Sequence, residues 1–135
     1  MARVYLDSCI VIYLHEATVD IQTAIRDRLI PASGDRPIPH ISDLTRLECR
    51  VQPLRRGDVS LLADYDRFFF LPEVRRLPLS TEAVDLATEL RARHGLRTPD
   101  ALHLAAALVG GCEQFWTNDT RLARVQAEIA IEVIP

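Results

Sequence analysis

The stretch RVYLDSCIVIYLHE, residues 3–16, joins a strand pattern directly to a helix pattern and indicates the class of fold. Its first four residues, with a valine and a tyrosine at their centre, are typical of a short β-strand. The apolar run from Ile10 to Leu14 that follows is compatible with a buried helix. Because Asp7 and Ser8 stand between the two patterns, we expect Asp7 at the end of a strand.

Strand and helix patterns alternate along the rest of the chain. Helices are predicted over residues 21–29, 43–51, 58–70, 81–94, 99–109 and 120–125, and strands over residues 74–79, 115–117 and 129–134. The proline-rich residues 31–39 are predicted to form a loop. This alternation predicts an α/β fold in which helices cover both faces of a parallel sheet.

The composition limits the class of protein. With 135 residues, 48% of them hydrophobic, the chain fits one globular domain over residues 1–135. The first apolar run is too short for a signal sequence or a membrane span, so we expect a soluble, cytoplasmic protein. A net charge of −3 argues against nucleic-acid binding through general basicity, although all 16 basic residues are arginines suited to bidentate phosphate contacts. Three scattered cysteines without a C-x-x-C pair are expected in the core, not in a zinc site or in disulfides.

Two aspartates follow strand patterns. Asp7 comes directly after the first strand, and Asp119 ends the stretch FWTND, residues 115–119. In parallel sheets, ligands collect beyond the carboxyl ends of the strands, where these two side chains would meet. Taken singly, each aspartate is explained at least as well by a turn or a helix cap.

Two further acids lie on predicted helices. Glu48 falls one turn after Leu44, at the edge of a stripe with Leu47 and Val51 that we expect to be buried. A carboxylate there stands where an apolar residue is expected. Asp100 opens the alanine-rich helix and is expected to face inward or into a cleft, although the helix dipole by itself also favours an acid at this position.

If these helix ends and strand ends meet, four carboxylates share a partly buried pocket. That arrangement is unfavourable unless a cation or protonation offsets the charge. Oxygen ligands without histidine or cysteine favour Mg²⁺ or Mn²⁺ over zinc. Thr117 and Asn118 would then form hydrogen bonds to a metal-binding carboxylate or to a water on the metal, without contacting the metal themselves. Ser8 would either order a water on the metal or cap the first helix.

Four motifs in order resemble the acidic motifs of the PIN domain, and most closely those of VapC-like toxins of bacterial toxin-antitoxin modules. They are LDS at residues 6–8, LTRLE at 44–48, TPDALHLAAAL at 98–108 and FWTND at 115–119, and they span essentially the whole chain. The resemblance implies a three-layer α/β/α sandwich with a central parallel sheet, and an endoribonuclease that depends on Mg²⁺ or Mn²⁺. Four residues match the family's acidic positions: Asp7, Glu48, Asp100 and Asp119. The resemblance implies that they are metal ligands and catalytic residues. Thr117 matches the family's usual threonine or serine.

The chain departs from the family pattern directly after Asp119. Thr120, Arg121 and Leu122 follow it, where many relatives continue with a further acid and a phenylalanine. The number of metal ions, one or two, therefore stays open.

The resemblance also implies a mechanism and partners. A metal would lower the pKa of a bound water, which attacks in line and leaves a 5′-phosphate and a 3′-hydroxyl. Arg46, Arg50 and Arg97 lie near the motifs and would either steer phosphates or stay solvated. A homodimer and a cognate VapB-like antitoxin are expected. The C-terminal segment of that antitoxin would cross the apolar helices and block the acidic pocket, and the DNA contacts would belong to the antitoxin.

Two alternatives were compared with this hypothesis. Receiver domains and haloacid-dehalogenase-like phosphatases also place aspartates at strand ends and use magnesium, but they need a lysine near the phosphate and this chain has none. A non-catalytic PIN-like module that binds RNA or a protein remains the alternative, although the four matching acids favour an enzyme.

Two other features have open interpretations. His103, one turn after Asp100, is expected to be a core or hydrogen-bonded histidine, with a functional role as the alternative. Phe68, Phe69 and Phe70 cannot all face one core, so either another chain or a loop covers part of this run.

Overall fold

The computed structural model describes residues 1–135 and is built around a parallel sheet. The strands are β1 (Arg3–Leu6), β2 (Ile38–Ser42), β3 (Arg75–Leu77), β4 (Gln114–Thr117) and β5 (Ala130–Val133). The helices are α1 (Ser8–Glu16), α2 (Val19–Leu29), α3 (Asp43–Arg56), α4 (Val59–Phe69), α5 (Thr81–His94) and α6 (Thr98–Val109), with a short 3₁₀ helix over Thr120–Val125. None of the helices combines the length and the apolar character that crossing a membrane requires.

Local signals set the ends of the helices. Ser42 forms a capping box at the start of α3, and the Ser80 hydroxyl accepts a hydrogen bond from the backbone of the first turn of α5. Gly57 and Gly95 end α3 and α5 at φ of 66° and 64°, a left-handed conformation that favours glycine. Both helices begin where the sequence predicts, but α3 continues past the predicted end at residue 51 and through Pro53 to Arg56.

The sheet has a separate core on each face, because successive residues of a strand point to opposite sides. Tyr5 and Phe115 lie in the core formed with α5 and α6, and their rings stack 5.3 Å apart. Leu6 and Trp116 lie in the core formed with α1 to α4. Each large side chain that is fully buried in this way contributes about 1.5–3 kcal/mol. The predicted three-layer α/β/α sandwich with a central parallel sheet is confirmed.

The strand order β3-β2-β1-β4-β5 places a switch of direction between β1 and β4. The chain first adds strands outward on one side of β1 and then returns to the other side, where Leu6 pairs with Trp116. Such a switch leaves a crevice beyond the carboxyl ends of the two strands. Asp7 follows β1 and Thr117 ends β4, so both residues lie at this crevice.

Strand β2 contradicts the predicted loop over residues 31–39, because it begins at Ile38. Proline is rare inside sheets, since it cannot donate a backbone hydrogen bond. Pro39 is tolerated because it pairs with Val4 of β1, whereas β3 begins to pair only at His40. At Pro39 the strand thus has a neighbour on one side only. A prediction based on proline content misses strand β2 for this reason.

The buried face of α3 also differs from the predicted one. Cys49 and Pro53 are buried, whereas Leu47, at the centre of the predicted apolar stripe, is 59% exposed. Leu44 and Val51 of the predicted stripe are partly buried. The predicted stripe is therefore wrong at Leu47. Glu48 nevertheless lies beside the buried face, with its side chain 31% exposed.

The aromatic run at the end of α4 is divided between core and surface, as predicted. Phe69 is buried and Phe68 partly buried, while Phe70 is 55% exposed. The guanidinium carbons of Arg46 and Arg76 lie 5.3 and 4.4 Å from the centre of the Phe70 ring. Arginine side chains therefore cover part of this exposed ring.

Candidate active site

Asp7 is held in one orientation at the carboxyl end of β1. Its Oδ2 accepts a hydrogen bond from the Thr117 hydroxyl at 2.8 Å, and its Oδ1 accepts one from the backbone N–H of Ser8 at 2.8 Å. The side chain is 13% exposed, and the one potential cation within 4 Å is His103, whose Nε2 lies 3.9 Å from Oδ1. Asp7 is thus a nearly buried carboxylate without an arginine partner.

A buried chain of hydrogen bonds reaches Glu48 from the interior. Its Oε1 lies 2.6 Å from Nε2 of His103 and accepts a hydrogen bond from the Ser8 hydroxyl at 2.7 Å. Nδ1 of His103 lies 2.7 Å from the Tyr5 hydroxyl, which in turn lies 2.8 Å from the Ser42 hydroxyl. Because His103 is only 1% exposed and both ring nitrogens have partners, the network fixes the orientation of Glu48.

The other two acids bind arginines. Asp100 Oδ2 accepts a hydrogen bond from Arg97 Nε at 3.1 Å. Asp119 Oδ1 accepts hydrogen bonds from N and Nε of Arg121 at 3.0 Å each, and its Oδ2 accepts one from Nη2 at 2.8 Å. Arg97 Nη2 also lies 4.0 Å from Asp119 Oδ2, so Arg97 links the two acids. These arginine side chains are 65% and 68% exposed, which places both arginines on the solvent side of the site, whereas the Asp100 side chain is 14% exposed.

A pocket of about 430 Å³ lies beside these pairs. Its lining includes Arg97, Arg121 and Arg124, together with both aspartates. Of the three arginines near the motifs, Arg97 alone reaches this pocket. Arg46 lies over Phe70, and Arg50 forms an ion pair with Asp66 at 3.1 Å.

Burial raises the pKa of Asp7, because removal from water disfavours the charged form. The positive potential of His103 and the hydrogen bond from Thr117 oppose this effect, while the charge of Asp100 raises the pKa further. Asp7 and Asp100 are therefore close enough to repel each other. A positive charge at these two carboxylates would relieve both the burial and the repulsion.

Glu48 and Asp119 have the opposite electrostatics. Burial alone would raise the pKa of Glu48, but hydrogen bonds from His103 and Ser8 outweigh it and hold the pKa below its usual value. The hydrogen bond from Arg121 is the main reason why the pKa of Asp119 is lowered. Both groups are ionised at neutral pH and already have partners.

The donor set fits a hard divalent cation at Asp7 and Asp100. No three or more histidine, cysteine, aspartate or glutamate side chains are grouped closely enough to hold a metal ion between them. Mg²⁺, however, usually binds through one or two carboxylates and keeps several waters. Two carboxylates that repel each other, one of them buried and without an arginine partner, meet that requirement.

The structure brings most of the predicted site residues together, but Asn118 is an exception. Ser8 and Thr117 contact the carboxylates directly. The Asn118 amide instead donates to the carbonyls of Ile134 and Pro135, and its Oδ1 accepts a hydrogen bond from the Tyr13 hydroxyl. Asn118 thus anchors the C-terminal residues and does not reach an acidic side chain.

His103 is buried and hydrogen-bonded, as predicted, because buried polar atoms need partners. Its contact with Glu48 and two further contributions to the site were not anticipated from the sequence. Arg121 follows Asp119 by two residues, a spacing that allows direct contact. Cys9 was predicted in the core, but its sulfur lies 3.7 Å from the Thr117 hydroxyl and accepts a hydrogen bond from the backbone N–H of Asn118. Cys49 and Cys112 are buried as predicted.

Fold and site together define an α/β protein with an acidic pocket at the switch point of its parallel sheet. The chain belongs to the PIN domain family, whose sequence model matches residues 4–128. This match confirms the predicted resemblance of the chain to that family. No curated protein matches the sequence significantly.

Solved structures share this fold along nearly the whole chain. VapBC2 from Rickettsia felis, bound to a DNA fragment from its promoter, matches with a TM-score of 0.77 at 17% identity over 98% of each chain. VapC20 from Mycobacterium tuberculosis, a sarcin-ricin loop cleaving toxin, matches with a TM-score of 0.76 at 18% identity, over 98% of this chain and 99% of that one. A toxin-antitoxin complex from Klebsiella pneumoniae matches with a TM-score of 0.71 at 21% identity over 96% of each chain. At these identities the likeness establishes the fold.

Proposed function

We propose that this protein is a Mg²⁺- or Mn²⁺-dependent endoribonuclease and the toxin of a VapBC-type toxin-antitoxin module. The observation that carries the proposal is the environment of Asp7, a nearly buried carboxylate that two donors orient and no arginine neutralises. Beside Asp100 and at the switch point of the sheet, such a group is suited to hold a hard cation. Membership of the PIN domain family supports the same reaction class.

The buried side of the site would hold the metal. A divalent ion held by Asp7 and Asp100 would supply a water of lowered pKa and would offset negative charge on the phosphate. Thr117 and Ser8 keep the Asp7 carboxylate in a single orientation, so that it does not have to reorganise.

Glu48 would orient the attacking water. Its hydrogen bonds from His103 and Ser8 hold its pKa low, so the carboxylate is an acceptor at neutral pH and not a proton donor. These bonds involve Oε1, and Oε2 is left without a protein partner. No side chain acts as a covalent nucleophile in this scheme, and the expected products are a 5′-phosphate and a 3′-hydroxyl.

The exposed side of the site would contact the RNA. Arg97, Arg121 and Arg124 line the pocket beside the carboxylates, and guanidinium groups are suited to phosphate oxygens. The name of VapC20, a sarcin-ricin loop cleaving toxin, supports RNA as the substrate class.

A VapB-like antitoxin and a second copy of the chain are the proposed protein partners. The matching structures from R. felis and K. pneumoniae are toxin-antitoxin assemblies, which supports the antitoxin as a partner.

Two apolar surfaces are available to these partners. Exposed apolar side chains on α3 and α4 form the first, of the kind that partners cover: Leu47, Leu54 and Val59 are 59%, 69% and 77% exposed. An apolar groove of about 820 Å³, lined in part by Leu29 and Phe68, is available for the antitoxin segment. In this proposal the protein acts in the cytoplasm and reaches DNA only through the antitoxin.

Cleavage of total cellular RNA by purified, antitoxin-free protein tests this function. We expect discrete products with Mg²⁺ or Mn²⁺ and none with EDTA. Asp7→Asn should abolish cleavage, while Asp35→Asn, an exposed acid beyond the opposite end of β2, should cut like the wild type. Equal cutting by Asp7→Asn would contradict the acidic-pocket mechanism. RNA binding without any cutting would instead support the non-catalytic PIN-like module.

A further inference from the structure

Both carboxylate oxygens of Asp119 are occupied by Arg121. Oδ1 accepts two hydrogen bonds, from N and Nε, and Oδ2 accepts a third from Nη2, with all three distances between 2.8 and 3.0 Å. A bidentate guanidinium–carboxylate pair is among the strong forms of charged hydrogen bond, and here a backbone donor reinforces it. Arg97 adds a second positive charge 4.0 Å from Oδ2.

This environment opposes a metal ion at Asp119. A divalent cation would have to displace the guanidinium group of Arg121 and would then be repelled by both arginines. Asp7, by contrast, accepts hydrogen bonds only from a hydroxyl and a backbone N–H, which leave its negative charge in place. The two aspartates at the strand ends are therefore unequal as metal ligands.

We propose that Arg121 takes the place of a second metal ion, so that the protein binds one divalent ion, at Asp7, and uses Arg121 to bind a phosphate of the RNA. This inference rests on the proposed function. In two-metal nucleases the ions stabilise charge on the attacking and leaving oxygens, and the guanidinium group of Arg121 would supply one such positive charge. An arginine at this point neither dissociates nor depends on metal supply.

The free edge of Arg121 is suited to this role. Nε and Nη2 face Asp119, whereas Nη1 donates to no protein group. The side chain lines the pocket of about 430 Å³ with Arg97 and Arg124. The planar guanidinium fork can hold Asp119 with one edge and contact phosphate oxygens with another.

A titration of metal-free protein with Mn²⁺, followed by the electron paramagnetic resonance signal of the free ion, tests the metal count directly. We expect one Mn²⁺ per chain for the wild type and for Asp119→Asn, and none for Asp7→Asn. Arg121→Gln uncovers Asp119 and should bind a second, weaker Mn²⁺. Arg124→Gln removes an arginine of the same pocket that has no carboxylate partner, and it should still bind one.

Other results of this titration would overturn the inference. Two ions in the wild type with one lost in Asp119→Asn would overturn it and leave the proposed nuclease intact. An Arg121→Gln chain that still binds a single ion would show that Arg121 is not what excludes the second. No binding by any form, together with RNA cleavage that persists in EDTA, would overturn the metal-dependent function itself.

RNA affinity in the non-cleaving Asp7→Asn background tests the phosphate contact. Adding Arg121→Gln should weaken binding about 3- to 10-fold and lower the slope of log affinity against log salt by about 1. Arg121→Lys keeps the charge but loses the planar guanidinium group, so its RNA affinity should lie between that of the Asp7→Asn background and that of Arg121→Gln. Unchanged affinity and an unchanged salt slope for Arg121→Gln would overturn this part of the proposal.

Discussion

The two halves of the acidic pocket use the same carboxylate chemistry in opposite surroundings. In the buried half, Asp7 and Glu48 bind hydroxyls, a backbone N–H and His103. In the exposed half, which is named for its arginines and not for its carboxylates, Asp100 and Asp119 bind arginines whose side chains are 65% and 68% exposed and screened by water. Buried donors fix a carboxylate in one geometry, as a metal ligand needs, whereas exposed arginines are available to a substrate. In the proposed function, the metal therefore binds at Asp7, with Asp100 as its second carboxylate, and the exposed arginines contact the RNA.

The largest expected difference between the halves is in the two aspartates at the strand ends. Asp7→Asn should lower kcat for RNA cleavage on the order of 10³-fold or more, because metal-assisted stabilisation of several kcal/mol is lost. Asp119→Asn should lower it only about 10-fold, because it loosens Arg121 without removing a metal ligand. Single-turnover cleavage of one RNA by both variants checks this, and equal losses would break the distinction.

The network behind Glu48 should give the next largest effect. His103→Leu leaves Tyr5 and Glu48 without their shared partner, so kcat should fall about 10- to 100-fold with little change in KM. The free energy of unfolding should fall by about 1–3 kcal/mol. His103→Gln, which can still bond to Glu48, should recover part of the activity. If His103→Leu lost stability but kept full activity, His103 would be a core residue without a positioning role.

An arginine of the exposed half should act on binding and not on the chemical step. Arg97→Gln should raise KM about 3- to 10-fold and reduce the salt dependence of RNA binding by about one unit of slope, with kcat nearly unchanged. Arg55→Gln, at the far end of α3 from the site, serves as the matched control. A fall in kcat at constant KM would move Arg97 into the catalytic half.

The smallest effect concerns stability in the absence of metal and depends on pH. The pKa of Asp7 is raised in the folded protein, so its contribution to stability is present below the unfolded value of 3.8 and is lost as the pH rises through the folded value. Because asparagine does not ionise, the Tm of Asp7→Asn in EDTA should rise relative to the wild type by roughly a few degrees between acid pH and pH 7. The comparison across pH is needed because asparagine has only one oxygen to accept the two hydrogen bonds that Asp7 accepts. A Tm difference that stays the same across this range would contradict the burial of an uncompensated charge.

Added Mn²⁺ provides the matching control for this comparison. It should raise the Tm of the wild type, because an ion that binds only the folded state stabilises it. It should leave the Tm of Asp7→Asn unchanged. A shift of equal size in both proteins would place the ion away from Asp7.

The positions of the carboxylates could be read from the sequence because local patterns set them. Asp7 directly follows β1, Asp119 lies two residues beyond β4, and Asp100 lies in the first turn of a helix that begins at Thr98. The parallel sheet then brings the strand ends together at a single edge. Glu48 lies at the site although the stripe used to place it was wrong at Leu47, because it is next to Cys49 and beside the buried face.

The partners of those carboxylates could not be read in the same way. His103 reaches Tyr5, a residue 98 positions away in the sequence, and only the folded sheet makes that contact. The bridge from Arg97 to Asp119 likewise depends on how α6 lies against β4. Strand β2 was missed because its tolerance for Pro39 depends on where β3 begins to pair. Tertiary context decides each of these features.

A crystal soaked in Mn²⁺ and measured near the manganese absorption edge tests the division between the two halves most directly. One anomalous peak is predicted, about 2.1 Å from an Asp7 oxygen and within reach of Asp100, with Arg121 still bound to Asp119. A peak at Asp119 with Arg121 displaced, or no peak at Asp7, would contradict the account.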